Sequence, residues 1–68
     1  MNNMTTQYPT DDALRRAAEE LIARYGVEVA IEDAKRRADT FAQEGRWPEH
    51  ATAMRMQTMV EQLGRDAR

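Results

Sequence analysis

Apolar residues that recur at three- and four-residue steps, and the single glycines that interrupt them, constrain the fold of this chain most strongly. Such spacing places apolar side chains on one side of an amphipathic helix. The first stripe consists of Leu14, Ala17, Ala18, Leu21, Ile22 and Tyr25. Thr10 precedes it as a helix N-cap, and Gly26 follows it where a left-handed glycine ends a helix. The pattern predicts a helix over residues 11–25.

A second stripe predicts a helix over residues 27–44. Its members are Val27, Ala30, Ile31, Ala34, Ala38, Phe41 and Ala42. Val27, Val29 and Ile31 also alternate with their neighbours, as in a half-buried strand. That run is short and has no partner strand in the chain, so the helix is favoured. Gly45 again stands where a left-handed glycine is expected after a helix.

The third helix is predicted over residues 48–63. Pro48 is favourable at the first helical position, because the amide proton that proline lacks would have no partner there. Gly64 is expected to end the helix. The apolar stripe of this segment consists of Ala53, Met56, Val60 and Leu63.

Three such helices with short connections predict an all-α fold, a small three-helix bundle of antiparallel neighbours. The bundle is expected to span residues 10–68 as one domain, because a chain of 68 residues builds only one small core. Residues 1–9 are polar, carry no charged side chain and show no periodicity. We expect them to form a flexible, disordered tail.

Charge and composition exclude several classes of protein. Ten basic residues against 12 acidic ones give a net charge of −2, so the basic surface of a general nucleic-acid binder is missing. The absence of cysteine excludes disulfides and thiolate metal sites. The chain has no apolar run long enough to span a bilayer and no recognisable secretory leader, and these absences predict a cytoplasmic protein.

Acidic residues precede basic ones at four-residue steps in the second helix. This spacing predicts ion pairs of Glu32 with Arg36 and of Asp33 with Arg37 on a solvated face. The neighbouring basic side chains point in different directions around the helix, since consecutive residues are about 100° apart. The basic run Lys35-Arg36-Arg37 therefore does not predict a concentrated binding patch.

Catalysis, metal binding and cofactor binding are not expected. His50 is the only histidine, and Trp47 rather than glutamate stands three residues before it, so the Glu-x-x-His motif of metal-binding bundles is absent. We expect His50 to be exposed in the first turn of its helix. The threonines and Tyr25 form no recognisable nucleophile–base pattern, which predicts a non-enzyme without a small-molecule substrate.

Candidate interface residues lie on the third helix. Met54, Met56 and Met59 point in different directions, so one buried face cannot hold all three, and methionine is common at partner-binding surfaces. A singly exposed Met54 would also be ordinary. Trp47 has two interpretations, a residue that packs over the preceding turn against Phe41 or an interface anchor. The interface candidates are Met54, Arg55, Met59 and Trp47.

Part of the sequence resembles a known group of proteins. The matching residues are the run Leu21-Ile22-Ala23-Arg24-Tyr25-Gly26, then Ala30, Ala34, Arg37-Ala38-Asp39 and Gly45. This pattern is similar to short, uncharacterised all-helical proteins of alphaproteobacteria, a domain-of-unknown-function type, over about residues 14–63. The resemblance implies a small cytoplasmic bacterial protein and implies no activity and no site residue.

Together, these features predict a small non-enzymatic protein-interaction module, an adaptor, regulator or inhibitor subunit. It would bind itself, as a homodimer, or a larger protein through the third helix. The second hypothesis is a dimeric nucleic-acid-binding regulator of helix-turn-helix type, with Arg55, Gln57 and Thr58 among the possible base-reading side chains. Salt separates the two hypotheses, because binding to nucleic acid weakens steeply as salt is added.

Overall fold

Residues 10–67, the part of the chain that this computed structural model describes, fold into three helices. The helices are α1 (Asp11–Tyr25), α2 (Val27–Gln43) and α3 (Trp47–Asp66). α2 and α3 run antiparallel, because His50 near the start of α3 meets Ala38 of α2 and Gly64 near the end of α3 meets Val27 at the start of α2. These two helices pack most extensively against each other, and α1 packs against both. The predicted all-α, three-helix fold is confirmed. The tail expected over residues 1–9 lies outside the described residues.

α1 begins at its predicted cap. The amide of Ala13 donates to Thr10 Oγ1 at 3.1 Å, and the amide of Leu14 donates to the Thr10 carbonyl at 3.0 Å. Asp11 and Asp12 lie in the first turn, where the exposed amide dipoles stabilise negative charge. Local sequence chemistry therefore fixes this end of the helix.

Gly26 alone joins α1 to α2. Its amide donates to the Ile22 carbonyl at 2.8 Å, and its carbonyl accepts from the Ala30 amide at 3.0 Å. The residue thus ends one helix and begins the next. Its φ of 88° is positive, as predicted, but its ψ of 163° is far from the left-handed helical value. This region of backbone space is populated almost only by glycine.

α2 ends in a Schellman motif around Gly45. The amide of Gly45 donates to the Ala42 carbonyl at 3.1 Å, and the amide of Arg46 donates to the Phe41 carbonyl at 2.8 Å. Gly45 has a φ of 72°, which confirms its predicted left-handed position. The helix stops at Gln43 with Glu44 as its C-cap, one residue earlier than predicted.

Gly64 does not end α3, which was a wrong prediction. The helix continues to Asp66, and Gly64 is buried within it. A Cβ at this position would lie 2.7 Å from Val27 Cγ1, closer than carbon atoms approach without a shift. The glycine therefore serves the close approach of α2 to α3. Glycine is typical of helix ends, but Gly64 lies within α3, where its missing side chain leaves space for Val27.

The core is narrow because it consists mostly of alanine. The buried apolar residues are Leu14, Ala18, Ala30, Ala34, Ala38, Ala53 and Val60, five of the seven being alanine. Ala18, Ala30 and Val60, one from each helix, form its centre. Larger side chains, Ile22 and Ile31 among them, pack against this centre but are only partly buried. The helices therefore approach closely and bury little apolar area per residue.

Two members of the predicted first stripe lie outside the core. Tyr25 is 56% exposed and Ala17 is also exposed. Tyr25 is the last residue of α1, where the chain turns at Gly26 into the next helix. Periodicity places a side chain on a face of its helix, but it does not show where the neighbouring helix ceases to cover that face.

Candidate protein-interaction surface

The exposed side of α3 carries two large apolar residues. Trp47 is 60% exposed and Met54 is 45% exposed. They are seven residues apart, about two helical turns, so they lie on the same side of the helix, with the exposed Ala51 between them. We call Trp47, Ala51 and Met54 the α3 stripe. The expectation that the core would not bury every methionine of this helix is confirmed for Met54.

Trp47 does not pack against Phe41 in the core, which was the first of its two interpretations. Its ring meets the ring of His50 edge to face, with 5.5 Å between the centroids. The face of Phe41 is instead covered by Arg46, whose guanidinium carbon lies 5.0 Å from the ring centroid. Because the arginine occupies the position expected for tryptophan, Trp47 lies on the surface at the start of α3.

His50 connects α3 to α2. It is half-buried, and Nδ1 lies 2.9 Å from the carbonyl oxygen of Ala38. A carbonyl oxygen only accepts, so Nδ1 carries the proton and donates. The expectation that His50 would be exposed is therefore wrong. Its position in the first turn of α3 places it beside the last turns of the antiparallel α2, a contact that local spacing does not show.

Beyond the α3 stripe, the exposed side of α3 becomes polar, and Thr58, Gln62 and Arg65 are exposed there. The Thr58 hydroxyl donates to the Met54 carbonyl at 3.2 Å, within the same helix. The apolar part of the exposed side therefore runs from Trp47 to Met54, about 10 Å along the helix axis. This is the length of surface that an apolar partner could cover.

An open groove of about 530 Å³ lies between the start of α1 and the middle of α3. Three of the predicted interface residues, Met54, Arg55 and Met59, line it together with Leu14 and Asp11. Trp47, the fourth candidate, lies outside it. Met59 also packs against the core, so its side chain is shared between the groove and the interior of the bundle.

Arg55 closes one side of this groove through an ion pair. Its Nη2 lies 2.7 Å from Oδ1 of Asp11, a residue 44 positions earlier in the chain. The helix predicted over residues 11–25 places Asp11 in its first turn and indicates no partner for it. Whether two residues so far apart in the chain form an ion pair depends on how α1 crosses α3. Helical periodicity does not predict that crossing.

A second apolar surface lies between α1 and α2 and was not predicted. Tyr25 and Val29, 56% and 54% exposed, line an open groove of about 470 Å³ together with Leu21. Five charged residues of α2 complete its lining, and we call the whole set the α1–α2 face. These charged residues are Glu28, Glu32, Asp33, Arg36 and Arg37. In the sequence, only Val29 indicated this surface, because it is an apolar residue outside the predicted apolar stripe of its helix.

Asp33 organises the charges of this face. Its Oδ2 lies 2.8 Å from Nε of Arg37, and its Oδ1 lies 3.1 Å from Nη2 of Arg36. The predicted pair with Arg37 is confirmed. Arg36 pairs with Asp33 rather than with Glu32, because side chains three residues apart on a helix also meet.

Within residues 10–67, no group of three or more histidine, cysteine, aspartate or glutamate side chains could hold a metal ion. The hydroxyls of Thr52 and Thr58 donate to carbonyls of their own helix. None of the three described helices combines the length and the apolar character needed to cross a membrane.

Comparisons of the chain with protein-family models, with curated proteins and with solved structures found no match. The resemblance to alphaproteobacterial helical proteins therefore stays a prediction.

Proposed function

We propose that this protein is a small non-enzymatic interaction module, an adaptor, regulator or inhibitor subunit, acting in the cytoplasm. The α3 stripe would insert into an apolar groove of a larger protein. The supporting observation is that Trp47, Ala51 and Met54 are all exposed at positions i, i+4 and i+7 of one helix. Helices that dock into grooves of other proteins present their anchor residues at this spacing.

The residue types of the stripe suit this role. Tryptophan is enriched among residues that dominate binding energy, and methionine adapts its shape to a partner surface. The helix that carries them contacts both other helices, with His50 against Ala38 of α2 and Arg55 against Asp11 of α1. A surface fixed before binding loses less conformational entropy when a partner docks.

A larger protein is favoured over a second copy as the occupant of the α3 stripe. The apolar part of the stripe is only about 10 Å long, so two copies packed along it would bury little area compared with a standard protein interface. A concave groove, by contrast, also covers the sides of the Trp47 and Met54 side chains and so buries more area per residue.

The charges on α3 do not favour the second hypothesis, a nucleic-acid-binding regulator. Arg46 pairs with Glu44 at 3.5 Å and with Glu49 at 3.3 Å, and Arg55 pairs with Asp11. A recognition helix in a DNA groove presents basic and polar side chains to phosphates and bases. Here carboxylates already neutralise these two arginines, and the first half of the exposed side is apolar.

The test is quantitative capture from a lysate of the source cells with the tagged wild type, Trp47→Ala, Met54→Glu and the control Gln43→Glu. Gln43→Glu adds the same charge as Met54→Glu at an exposed position outside the stripe. We expect a prey protein that the wild type and the control retain and that both stripe variants lose.

Titration of that purified prey measures the contribution of the anchor. Trp47→Ala should weaken the dissociation constant by about 30-fold, the cost of a hot-spot truncation near 2 kcal/mol. Added salt should change the affinity of the wild type little, since the contact is apolar. A prey set that is the same for all four proteins would refute the proposal, and a nucleic acid lost steeply with salt would support the second hypothesis.

A further inference from the structure

The charges of the α1–α2 face are separated along α2. Glu28 and Glu32 are exposed near the start of the helix, and within residues 10–67 neither forms an ion pair. Arg36 and Arg37, one to two turns further on, share the one carboxylate of Asp33 and stay 74% and 67% exposed. One end of the face therefore has an excess of negative charge and the other an excess of positive charge.

The exposed apolar residues lie at the acidic end. Tyr25 and Val29 flank Glu28 at the turn between α1 and α2, and all three line the same groove. A carboxylate beside an exposed tyrosine ring is a suitable receptor for a guanidinium group. The carboxylate pairs with the charge, and the ring accepts the flat cation on its face.

We propose that a second copy of this chain docks on the α1–α2 face, with the two α2 helices antiparallel. In that orientation the arginine end of each copy lies on the glutamate and tyrosine end of the other. A two-fold axis uses one patch twice, so a face with opposite charges at its two ends is complementary to itself. A second copy of the same chain therefore matches this face.

The narrow core supports the same inference. Five of its seven buried apolar residues are alanine, and Val60 is the one large side chain that is fully buried among the described residues. Docking two copies would cover the Tyr25 and Val29 side chains of both. Small domains with too little core commonly gain stability by oligomerisation.

The test uses the whole chain and two charge-reversed variants. In Arg36→Glu/Arg37→Glu both ends of the face are acidic, and in Glu28→Lys/Glu32→Lys both ends are basic. We expect the wild type to double its mass as its concentration rises, by sedimentation or light scattering, and each variant alone to stay monomeric. An equimolar mixture of the two variants should form a heterodimer, because each acidic end then meets a basic end.

Two controls separate this contact from others. Lys35→Glu changes the neighbouring residue of α2, which does not line the groove, and should dimerise like the wild type. Met54→Glu changes the α3 stripe and should also dimerise, so that failure of this inference and failure of the proposed function are distinguishable. Circular dichroism confirms that each variant is helical.

Three results would overturn the inference. The first is a wild type that remains monomeric up to about 0.5 mM, where even a weak contact with a dissociation constant of about 1 mM is populated. The second is a dimer that persists in both charge-reversed variants, which places the contact elsewhere. The third is a mixture of the two variants that stays monomeric, which excludes the antiparallel pairing.

Discussion

The α2–α3 pair and the contacts of α1 differ in how closely the helices approach. Where α2 meets α3, small residues such as Ala30, Ala34 and Gly64 let the two backbones lie close together over most of their length. α1 is joined by one residue and packs less extensively on both partners. The open grooves of 530 and 470 Å³ both border α1. Loose packing of one helix thus creates the surfaces that a partner could use.

The largest predicted effect comes from filling the close-packed centre. Ala30 is fully buried against Ala18 and Val60, so Ala30→Leu has no space for its added atoms. We expect a loss of about 3 kcal/mol in the free energy of unfolding, from the midpoint of a urea titration. The control Ala51→Leu, on the exposed side of α3, should change stability by less than about 0.5 kcal/mol. Equal losses would mean that the alanine contact is not close-packed.

The second prediction concerns the single residue that attaches α1. Gly26→Ala forces a side chain into a backbone conformation with φ at 88° and ψ at 163°. We expect a loss of about 2 kcal/mol, measured by urea or thermal unfolding, because the joint has no second residue to absorb the change. Nothing lies within 4 Å of the added Cβ, so the loss would come from the backbone alone.

A matched substitution tests that reason. Gly45→Ala places alanine at a φ of 72°, closer to the ordinary left-handed region, and should cost about 1 kcal/mol. If Gly26→Ala were no more damaging than Gly45→Ala, the one-residue joint would not be the special constraint on α1 that its dihedral angles indicate.

The third prediction concerns the space at Gly64. Gly64→Ala brings a Cβ within 2.7 Å of Val27 Cγ1, but it also gains helix propensity of about 1 kcal/mol. We expect a net loss of about 1 kcal/mol from the overpacking. In the background of Val27→Ala the same change should become neutral or stabilising, because the colliding methyl groups are gone. A double-mutant cycle with a coupling energy near zero would contradict the contact.

These glycines also show how far the sequence predicts the fold. Gly26 and Gly45 end helices by their own backbone freedom, and Thr10 caps α1 through a bond to a residue three positions away. Such local chemistry predicted the bounds of α1 and the end of α2 to within one residue. Gly64 has the same residue type in a similar position, but its role depends on Val27, which lies 37 residues away in the chain.

The interface candidates show the same limit. The conflict among Met54, Met56 and Met59 is local, because three directions on one helix cannot all face one core, and it correctly indicated that Met54 is exposed. Local spacing does not predict which side chain covers the Phe41 ring. Arg46 and Trp47 are adjacent, and only the path of the turn decides which of them covers the ring. The α1–α2 face forms only where two helices pack together, and in the sequence only Val29 indicated it.

The smallest predicted effect is that of the ion pair between α1 and α3. Arg55 Nη2 and Asp11 Oδ1 are 2.7 Å apart, but the Asp11 side chain is 87% and the Arg55 side chain 41% exposed to solvent. Pairs in such surroundings contribute about 0.5 kcal/mol, because water already stabilises each charge and ordering two side chains costs entropy. A double-mutant cycle with Asp11→Asn and Arg55→Gln should therefore give a small coupling energy that falls further at high salt. A coupling above about 1.5 kcal/mol would mean that this pair, rather than the burial of Leu14 and Ala18, holds α1 on the bundle.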